Sequence, residues 1–457
     1  MRLIPCLMAF LMTEPLAAAL HVEGRLFRDE AQRHVILRGV NTSGAAKVPP
    51  FRAIRGPEDF APLGGWGFNT VRLLFTWEAF EPEPGVYDFA YLDYYRQMVS
   101  WAARYDLFVI ADIHQDAYSR ASIGGCGEGF PLWTLPPHAK RTTPDNGPRC
   151  AQWGLKALVD WHMHRAWHHF YENTYGARDH YLEMLDHLAG ALANLENLAG
   201  FDLLNEPWGK EQGQLASLYA DGAAVIRQRL PQAVIFLSAH ALTSTGLIPT
   251  RLPKPELDHM VHATHYYDPA LAVTKSWTKS ALKLATRAWK QVQNKWDTPI
   301  FLGEFGTTPQ IKDGVGYVDA IYDVIDRELY SSAHWVYTPT WDNVAKDGWN
   351  REDFSINNQH GKLRGTYRPR PFVAKTPGRL LAMAWDESQK ILRARCALDR
   401  SQGAFEVIVP QRLAFTTVVS LTGMLRCEAV KASKLLCHSL ERNPTGPVEL
   451  EFHFALQ

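Results

Sequence analysis

The sequence predicts an α/β protein, a (β/α)8 TIM barrel with a C-terminal β-sandwich domain. Three observations carry this. Eight short apolar, β-branched runs alternate with stretches of helical spacing, polar residues directly follow several of those runs, and helical spacing disappears beyond a proline-rich join near residue 370. At 457 residues and 46% hydrophobic composition, the chain can build a barrel of about 250 residues with insertions, plus a smaller second domain. Its 48 basic and 48 acidic residues cancel without a long run of one sign. Nucleic acid and anionic surfaces are therefore not favoured as partners, and a neutral substrate is expected.

Met1-Arg2, the apolar run 3–12 and Ala17-Ala18-Ala19 give a short positive segment, an apolar core and a small-residue cleavage site. Residues 1–19 are read as a cleaved signal peptide, so the protein is expected to be secreted or periplasmic. Thr13-Glu14-Pro15 interrupts any helix continuing from that run. No later stretch is apolar for the length a membrane span needs.

Residues 20–378 are assigned to the catalytic barrel. Its expected strands are Val35–Asn41, Thr70–Phe75, Phe108–Asp112, Phe201–Asn205, Ala233–Leu237, Val261–His265, Ile300–Gly303 and Ala333–Pro339. Continuous apolar runs are what parallel strands covered on both faces require. Helical patterns such as Tyr91–Arg104, His180–Leu195 and Leu215–Arg229 fill the intervals. After Tyr367-Arg368-Pro369-Arg370-Pro371 and Thr376-Pro377-Gly378, residues 379–457 are assigned to the β-sandwich. There Ala404–Pro410, Phe415–Leu421 and Val448–Leu456 read as strands, the last with Val448, Leu450, Phe452, Phe454 and Leu456 on one face. Of the five cysteines beyond Cys6, Cys126 and Cys150 flank one long loop, and a bridge there would remove roughly 3.5 kcal/mol of unfolded-chain entropy. Cys427 and Cys437 suit a stapled hairpin, leaving Cys396 free; buried thiols throughout are the alternative.

In such a barrel the active site lies at the C-terminal ends of the strands, so residues just after the apolar runs are the candidates. They are Arg72, His114, Asp116, Asn205, Glu206, His265, Tyr267, Glu304 and Trp341. Two carboxylates at the ends of different strands, Glu206 beside an asparagine and Glu304 entered through Gly303, suit cleavage of a glycosidic bond. One must hold a proton and the other must be charged: a drier site keeps the proton, whereas a neighbouring arginine and tyrosine hydroxyl keep the charge. With about 5–5.5 Å between them, the charged one can attack the anomeric carbon and the reaction retains configuration. Either glutamate alone would serve equally well as a barrel-mouth salt bridge.

These motifs resemble glycoside hydrolase family 5. The likeness runs from about residue 35 to 378, with Asn205-Glu206-Pro207 similar to the acid/base motif, Gly303-Glu304-Phe305-Gly306 to the nucleophile motif, and His265-Tyr266-Tyr267 to the His-x-Tyr motif. The resemblance makes Glu206 the acid/base and Glu304 the nucleophile. It places Arg72 by the nucleophile, His114 on the third strand, and Trp341 beneath the attacked sugar. Within the family the chain resembles endoglycoceramidases, which cut the bond between the glycan and the ceramide of glycosphingolipids. Arg38-Gly39-Val40-Asn41 with Lys47, Asp112-Ile113-His114-Gln115-Asp116, Phe75-Thr76-Trp77-Glu78 leading to Pro84-Gly85-Val86-Tyr87, and the Arg368 to Pro377 join all carry that likeness, although Arg370 stands where a tyrosine is expected. Lys47 and Asp116 are implied sugar ligands. The family implies no cofactor and no metal.

A glycolipid needs an apolar contact for its leaving group. The run Phe130 to Pro137 lies in a loop otherwise rich in glycine and proline, and Phe130, Leu132 and Trp133 are candidates to line a lipid side. Packing on the barrel rim is the equal alternative. The pair His164 and His168, four apart on a helix, has no intervening catalytic glutamate and is read as aromatic packing or a solvated face rather than as a metal site. Asn41-Thr42-Ser43 is formally a glycosylation sequon at a strand end inside the site. The expected substrate is a glycolipid, with transient contact at a membrane or micelle surface. Another β-glucoside (a simple glucosylceramide, a steryl glucoside or a polysaccharide) and a non-catalytic carbohydrate- or lipid-binding protein are the rival readings.

Overall fold

The computed structural model describes residues 20–42, 44–420, 425–431, 433–440 and 446–457. The expected signal peptide, residues 1–19, and Ser43 of the sequon lie outside them. All eight expected runs form parallel strands that close into one barrel: β1 (Arg38–Thr42), β2 (Thr70–Thr76), β3 (Phe108–His114), β4 (Leu198–Asp202), β5 (Ile235–Ser238), β6 (Met260–Tyr266), β7 (Ile300–Phe305) and β8 (Ser331–Tyr337), with β8 pairing back onto β1. Their residues are buried almost throughout, as strands covered on both faces must be. Strand β4 starts three residues earlier than expected. Leu203 and Leu204 lie past its end yet remain buried, so the apolar run outlasts the ladder.

Ile110, Phe236, Val261, Phe301 and Ala333 fill the barrel interior. The hairpin of His21–Glu23 and Leu26–Arg28 closes the end opposite the site, with Phe27 stacked on Phe236 at 6.0 Å. Three of the surrounding helices start on side-chain caps: Asp88 accepts from the Tyr91 amide, Asp160 from Met163 and Thr278 from Ala281.

Beyond the barrel, two antiparallel sheets enclose a separate core that includes Phe372, Leu380, Leu392, Phe405, Val407, Leu450 and Phe452. In Val448–Leu456 the residues Val448, Leu450, Phe452 and Phe454 face that core, while terminal Leu456 is exposed. Strand Phe372–Thr376 pairs with Phe405–Ile408 on one side and His34–Val35 on the other, so the N-terminal strands extend the same seven-stranded sheet. Arg370 is buried and binds Asp319 (3.1 Å), Asp323 (2.7 Å) and Asp326 (3.3 Å) of helix Gly314–Glu328. Asp326 also pairs with Arg38 at the start of β1. An arginine in place of the expected tyrosine thus ties the join to the barrel through charge. Disulfides link Cys126 to Cys150 and Cys427 to Cys437, and Cys396 is a buried free thiol.

Candidate active site

Arg72 on β2 organises the barrel mouth. Its guanidinium is fully buried and donates to Asn41 (3.0 Å), Glu304 (3.0 Å), Asp112 (2.8 Å), Asp202 (2.9 Å) and Asn205 (2.9 Å), residues carried by or just after four strands. A buried cation is tolerated when anions and acceptors surround it in this way, and its planar fork fixes the positions of all five. Asn41 also donates to the Gly303 carbonyl (2.8 Å), which secures the entry to Glu304. Gly303 has to be small: a Cβ there would stand 2.9 Å from His265 Nε2. Glu206 lies past the end of β4 with φ of +37°, a left-handed conformation that costs energy for a side chain this large. Gln115 holds the turn, donating to the carbonyls of Asn205 (2.7 Å) and Glu206 (3.0 Å), while Asn205 donates back to the Gln115 carbonyl (3.1 Å).

The two glutamates and His265 meet. One oxygen of each carboxylate and one His265 nitrogen all lie within 4.8 Å of one another. Glu304 receives the Arg72 N–H on one oxygen and the Tyr267 hydroxyl (3.1 Å) on the other. Glu206 shares a hydrogen bond with His265 Nδ1 (2.9 Å), which stands 3.6 Å from Glu304. Burial pushes both carboxyls up, but unequally. At Glu206 burial, reinforced by Asp116, prevails over His114, Lys47 and Arg72 and lifts the pKa to about 8. At Glu304 burial is opposed by His265 and Arg72. Glu206 is therefore the group that keeps a proton near neutral pH, and Glu304, with two donors on its oxygens, is the one held as an anion. Burial lowers the pKa of His265, which favours its neutral form.

A polar wall stands to one side of the pair. His114 hydrogen-bonds Asp112 through Nδ1 (2.7 Å) and stacks on the Trp335 ring, centroids 5.5 Å apart. Burial works against its charge, yet Asp112 raises its pKa to about 10. Lys47 forms an ion pair with Asp116 and lies over the rings of Trp335 (4.5 Å) and Trp349 (4.2 Å). Against burial, Lys47 and His114 hold Asp116 down to about 2. Glu128 completes the wall, 3.8 Å from His114 Nε2, and burial lifts its carboxyl to about 8. His114, Asp116 and Glu128 are close enough to share a cation, but the Lys47 ammonium already neutralises Asp116.

Of the sequence-derived candidates, Lys47, Arg72, His114, Asp116, Asn205, Glu206, His265, Tyr267 and Glu304 converge at this mouth. Trp341 does not. Arg364 covers its ring at 4.5 Å and its indole N–H donates to Asp353 (3.1 Å), while the ring beside His114 and Lys47 is Trp335, six residues earlier and inside β8. The apolar loop also needs correction. Phe130 is 1% exposed and packs among Trp77, Tyr118, Trp167, Phe170 and Tyr181, with centroids 4.5–5.8 Å away, so it is core and not lipid-facing. Trp133 is half-buried, its N–H donating to the Glu81 carbonyl (3.0 Å), and Leu132 alone of the three is exposed. His164 packs against Trp208 at 4.9 Å, as the aromatic-packing reading expects. Asp202, Glu128, Trp335 and Trp349 were not singled out from sequence. Only Asp202 had a signal there, an acid within an apolar strand.

Comparison with known proteins gives a family match over the barrel and solved structures of the same fold. Residues 29–144 and 148–341, more than half of the chain, match the cellulase (glycosyl hydrolase family 5) family. A glucosylceramidase from Rhizopus delemar is 30% identical over 240 residues, which cover 40% of this chain and 35% of that protein. Endoglycoceramidase I from Rhodococcus hoagii is 33% identical over 191 residues, 41% of this chain and 37% of that protein. The matched stretches thus span about a third of the length of these curated relatives. The structure of endo-glycoceramidase II from Rhodococcus sp. in complex with ganglioside GM3 superposes with a TM-score of 0.79 at 23% identity, covering 94% of this chain and 99% of that one.

Proposed function

The chain belongs to glycosyl hydrolase family 5, and from that premise we propose that it is a retaining β-glycosidase that hydrolyses the glycan–ceramide bond of glycosphingolipids. The single observation that carries the mechanism is the approach of the Glu206 and Glu304 carboxylate oxygens to within 4.8 Å. That separation leaves no room for the water an inverting enzyme places between its carboxylates, and it suits direct attack. Glu304 attacks the anomeric carbon as Glu206 gives its proton to the departing ceramide oxygen, and a glycosyl-enzyme ester forms. Glu206, now ionised, takes a proton from water. That water attacks the same carbon, breaks the ester and frees Glu304. Arg72 and the Tyr267 hydroxyl hold Glu304 in position, and Tyr267 stays a neutral donor because burial and Glu304 raise its pKa.

The lipid reading is supported by the likeness to glycolipid hydrolases and by an apolar loop beside the mouth. Glu206 borders a small recess lined by Ser238, His240, Thr243, Ser244 and His265. Leu247 and Ile248, exposed at 52% and 47%, follow in the same loop and are where a membrane or micelle would touch. Export through residues 1–19 is part of the proposal, since two disulfides suit an oxidising compartment. The test is a panel of ceramide glycosides, a steryl glucoside and cellulose with identification of the released sugars. Ceramide glycosides should be cleaved first, and turnover of cellulose or the sterol glycoside alone would overturn the lipid assignment.

A further inference from the structure

We infer that a ridge on the long excursion after β3 docks the protein on anionic lipid bilayers, independently of any glycolipid held in the site. Leu155, Leu158, Val159 and Trp161 fall within seven residues and are exposed at 53%, 47%, 80% and 58%. Exposed apolar side chains this dense mark a surface that another body covers. Their neighbours do pack: Ala157 is buried, and the helix Trp161–Tyr171 turns Met163, Ala166, Trp167 and Phe170 inward. Trp161 and Arg165, four apart, stand on its outer face.

The body that fits carries negative charge over an apolar interior. Between residues 138 and 169 the chain has five cations, Lys140, Arg141, Arg149, Lys156 and Arg165, against two acids, Asp145 and Asp160. Both acids are engaged locally: Asp145 pairs with Arg149, and Asp160 accepts from the Met163 amide (3.0 Å). The balance of 48 basic and 48 acidic residues over the whole chain therefore hides a local positive island. A groove of about 390 Å³ joins the two kinds of group, with Arg149 and Lys156 lining it alongside Leu155 and Val159. Tryptophan and leucine favour the boundary between headgroups and acyl chains, and basic residues beside them are drawn to anionic headgroups. A nucleic acid would use the cations but leave the ridge in water, and a two-fold pair of this chain would set like charges against each other. No described helix is long and apolar enough to cross a membrane, so the contact stays at the surface.

The ridge is tied to the catalytic mouth at both ends. Trp153, two residues before Leu155, donates to Glu352 (3.0 Å), and its ring meets Trp349 at 5.1 Å, the ring that lies against Lys47. His164, three residues after Trp161, packs on Trp208, which follows Glu206 by two. Trp208 also meets the His240 ring at 5.1 Å, and His240 caps the turn Ala241–Thr245 that leads to exposed Leu247 and Ile248. The Cys126–Cys150 bridge, with Asn350 donating to the Cys126 carbonyl (2.8 Å), holds this excursion against the one after β8. Docking by the ridge therefore brings the mouth to the lipid surface. That consequence rests on the glycosidase reading above, whereas the docking itself does not.

The experiment mixes the full chain with vesicles that contain no glycolipid, either phosphatidylcholine alone or equal parts of phosphatidylcholine and phosphatidylglycerol, and reads binding by co-sedimentation. The anionic vesicles should bind at least about tenfold more tightly at low salt, and about 1 M salt should remove that difference by shortening the screening length to about 3 Å. Val159→Ser combined with Trp161→Ser should weaken binding by about tenfold or more, and Lys140→Gln and Arg165→Gln by about fivefold each. Melting temperature and turnover of a soluble aryl β-glucoside should be unchanged in all of them. Should the combined change lower the melting temperature, the two charge variants decide alone. Absence of binding to anionic vesicles, or binding that none of these variants weakens, would overturn the proposal. So would a dimer in sedimentation velocity that the serine changes dissociate, which assigns the ridge to a second copy, or tighter binding of a single-stranded oligonucleotide than of anionic vesicles, which assigns the cations to nucleic acid. Because the vesicles hold no substrate, failure of the ceramide assay leaves the docking standing, and failure of docking leaves the catalytic assignment standing.

Discussion

Glu206→Gln removes a proton-binding group whose pKa burial lifts from the ordinary 4.5 to about 8, and the change should be visible in stability before any substrate is added. Below pH 4 the carboxyl is protonated in folded and unfolded chains alike, so it adds no pH dependence. As pH rises through 4.5 the unfolded chain releases its proton while the folded chain keeps it, and the folded state loses stability until the pH passes about 8. At about 1.4 kcal/mol for each pH unit, the accumulated loss is of the order of 4–5 kcal/mol. Glutamine cannot titrate and escapes it. The melting temperature of Glu206→Gln relative to the parent should therefore be near parity at pH 4 and higher by several degrees at pH 9, the sensitivity in so long a chain being about 1–2 °C per kcal/mol. Calorimetry across that range is the assay. A difference that stays constant with pH would show that Glu206 ionises in the ordinary carboxylate range, and the argument that it is the proton donor would fail with it.

Three further outcomes are expected. In kinetics, Glu206→Gln should lower turnover of a ceramide glycoside by about 10²–10⁴-fold but spare the first step on an activated aryl glycoside, whose leaving group needs no proton; equal losses on both would contradict the acid role. Gly303→Ala puts a Cβ 2.9 Å from His265 Nε2 and should cost about 1–3 kcal/mol of stability together with activity, as read from melting and kcat; a neutral result would mean that His265 can move freely. Phe130→Ser should destabilise the fold by about 3–5 kcal/mol and reduce lipid and aryl turnover in proportion, while Leu132→Ser should leave both within error. A selective loss on the lipid after Phe130→Ser would restore that residue to the lipid side.

The strands were legible because a parallel barrel buries both faces of each strand and writes continuous apolar runs into the chain, and the catalytic pair was legible because such a barrel places chemistry directly after those runs. The runs do not mark where pairing stops. Leu203 and Leu204 are as buried as strand residues but lie past β4, which shifted its expected position. Short strands that pair far along the chain were invisible: Leu26–Arg28 and His34–Val35 have too few residues to show alternation, and the sheet they join is completed some 340 residues later. Sequence also could not choose between tryptophans. Trp335 and Trp341 are both buried, but only the strand register of β8 puts Trp335 beside His114, while the chain beyond turns Trp341 toward Asp353. The run around Phe130 failed for a related reason, since an apolar segment in a loop reads the same whether it faces solvent or the packing beneath. Glu128 gave no signal, because its role follows from the antiparallel bridge that sets it against Asp116.

The most direct test of the central claim is to trap the glycosyl-enzyme ester. An activated 2-deoxy-2-fluoro-β-glucoside slows hydrolysis of the intermediate more than its formation, and peptide mass mapping then locates the sugar. One adduct is expected, on the peptide that carries Glu304, held there by Arg72 and Tyr267. An adduct on Glu206, or turnover without any adduct and with inversion at the anomeric carbon, would contradict it.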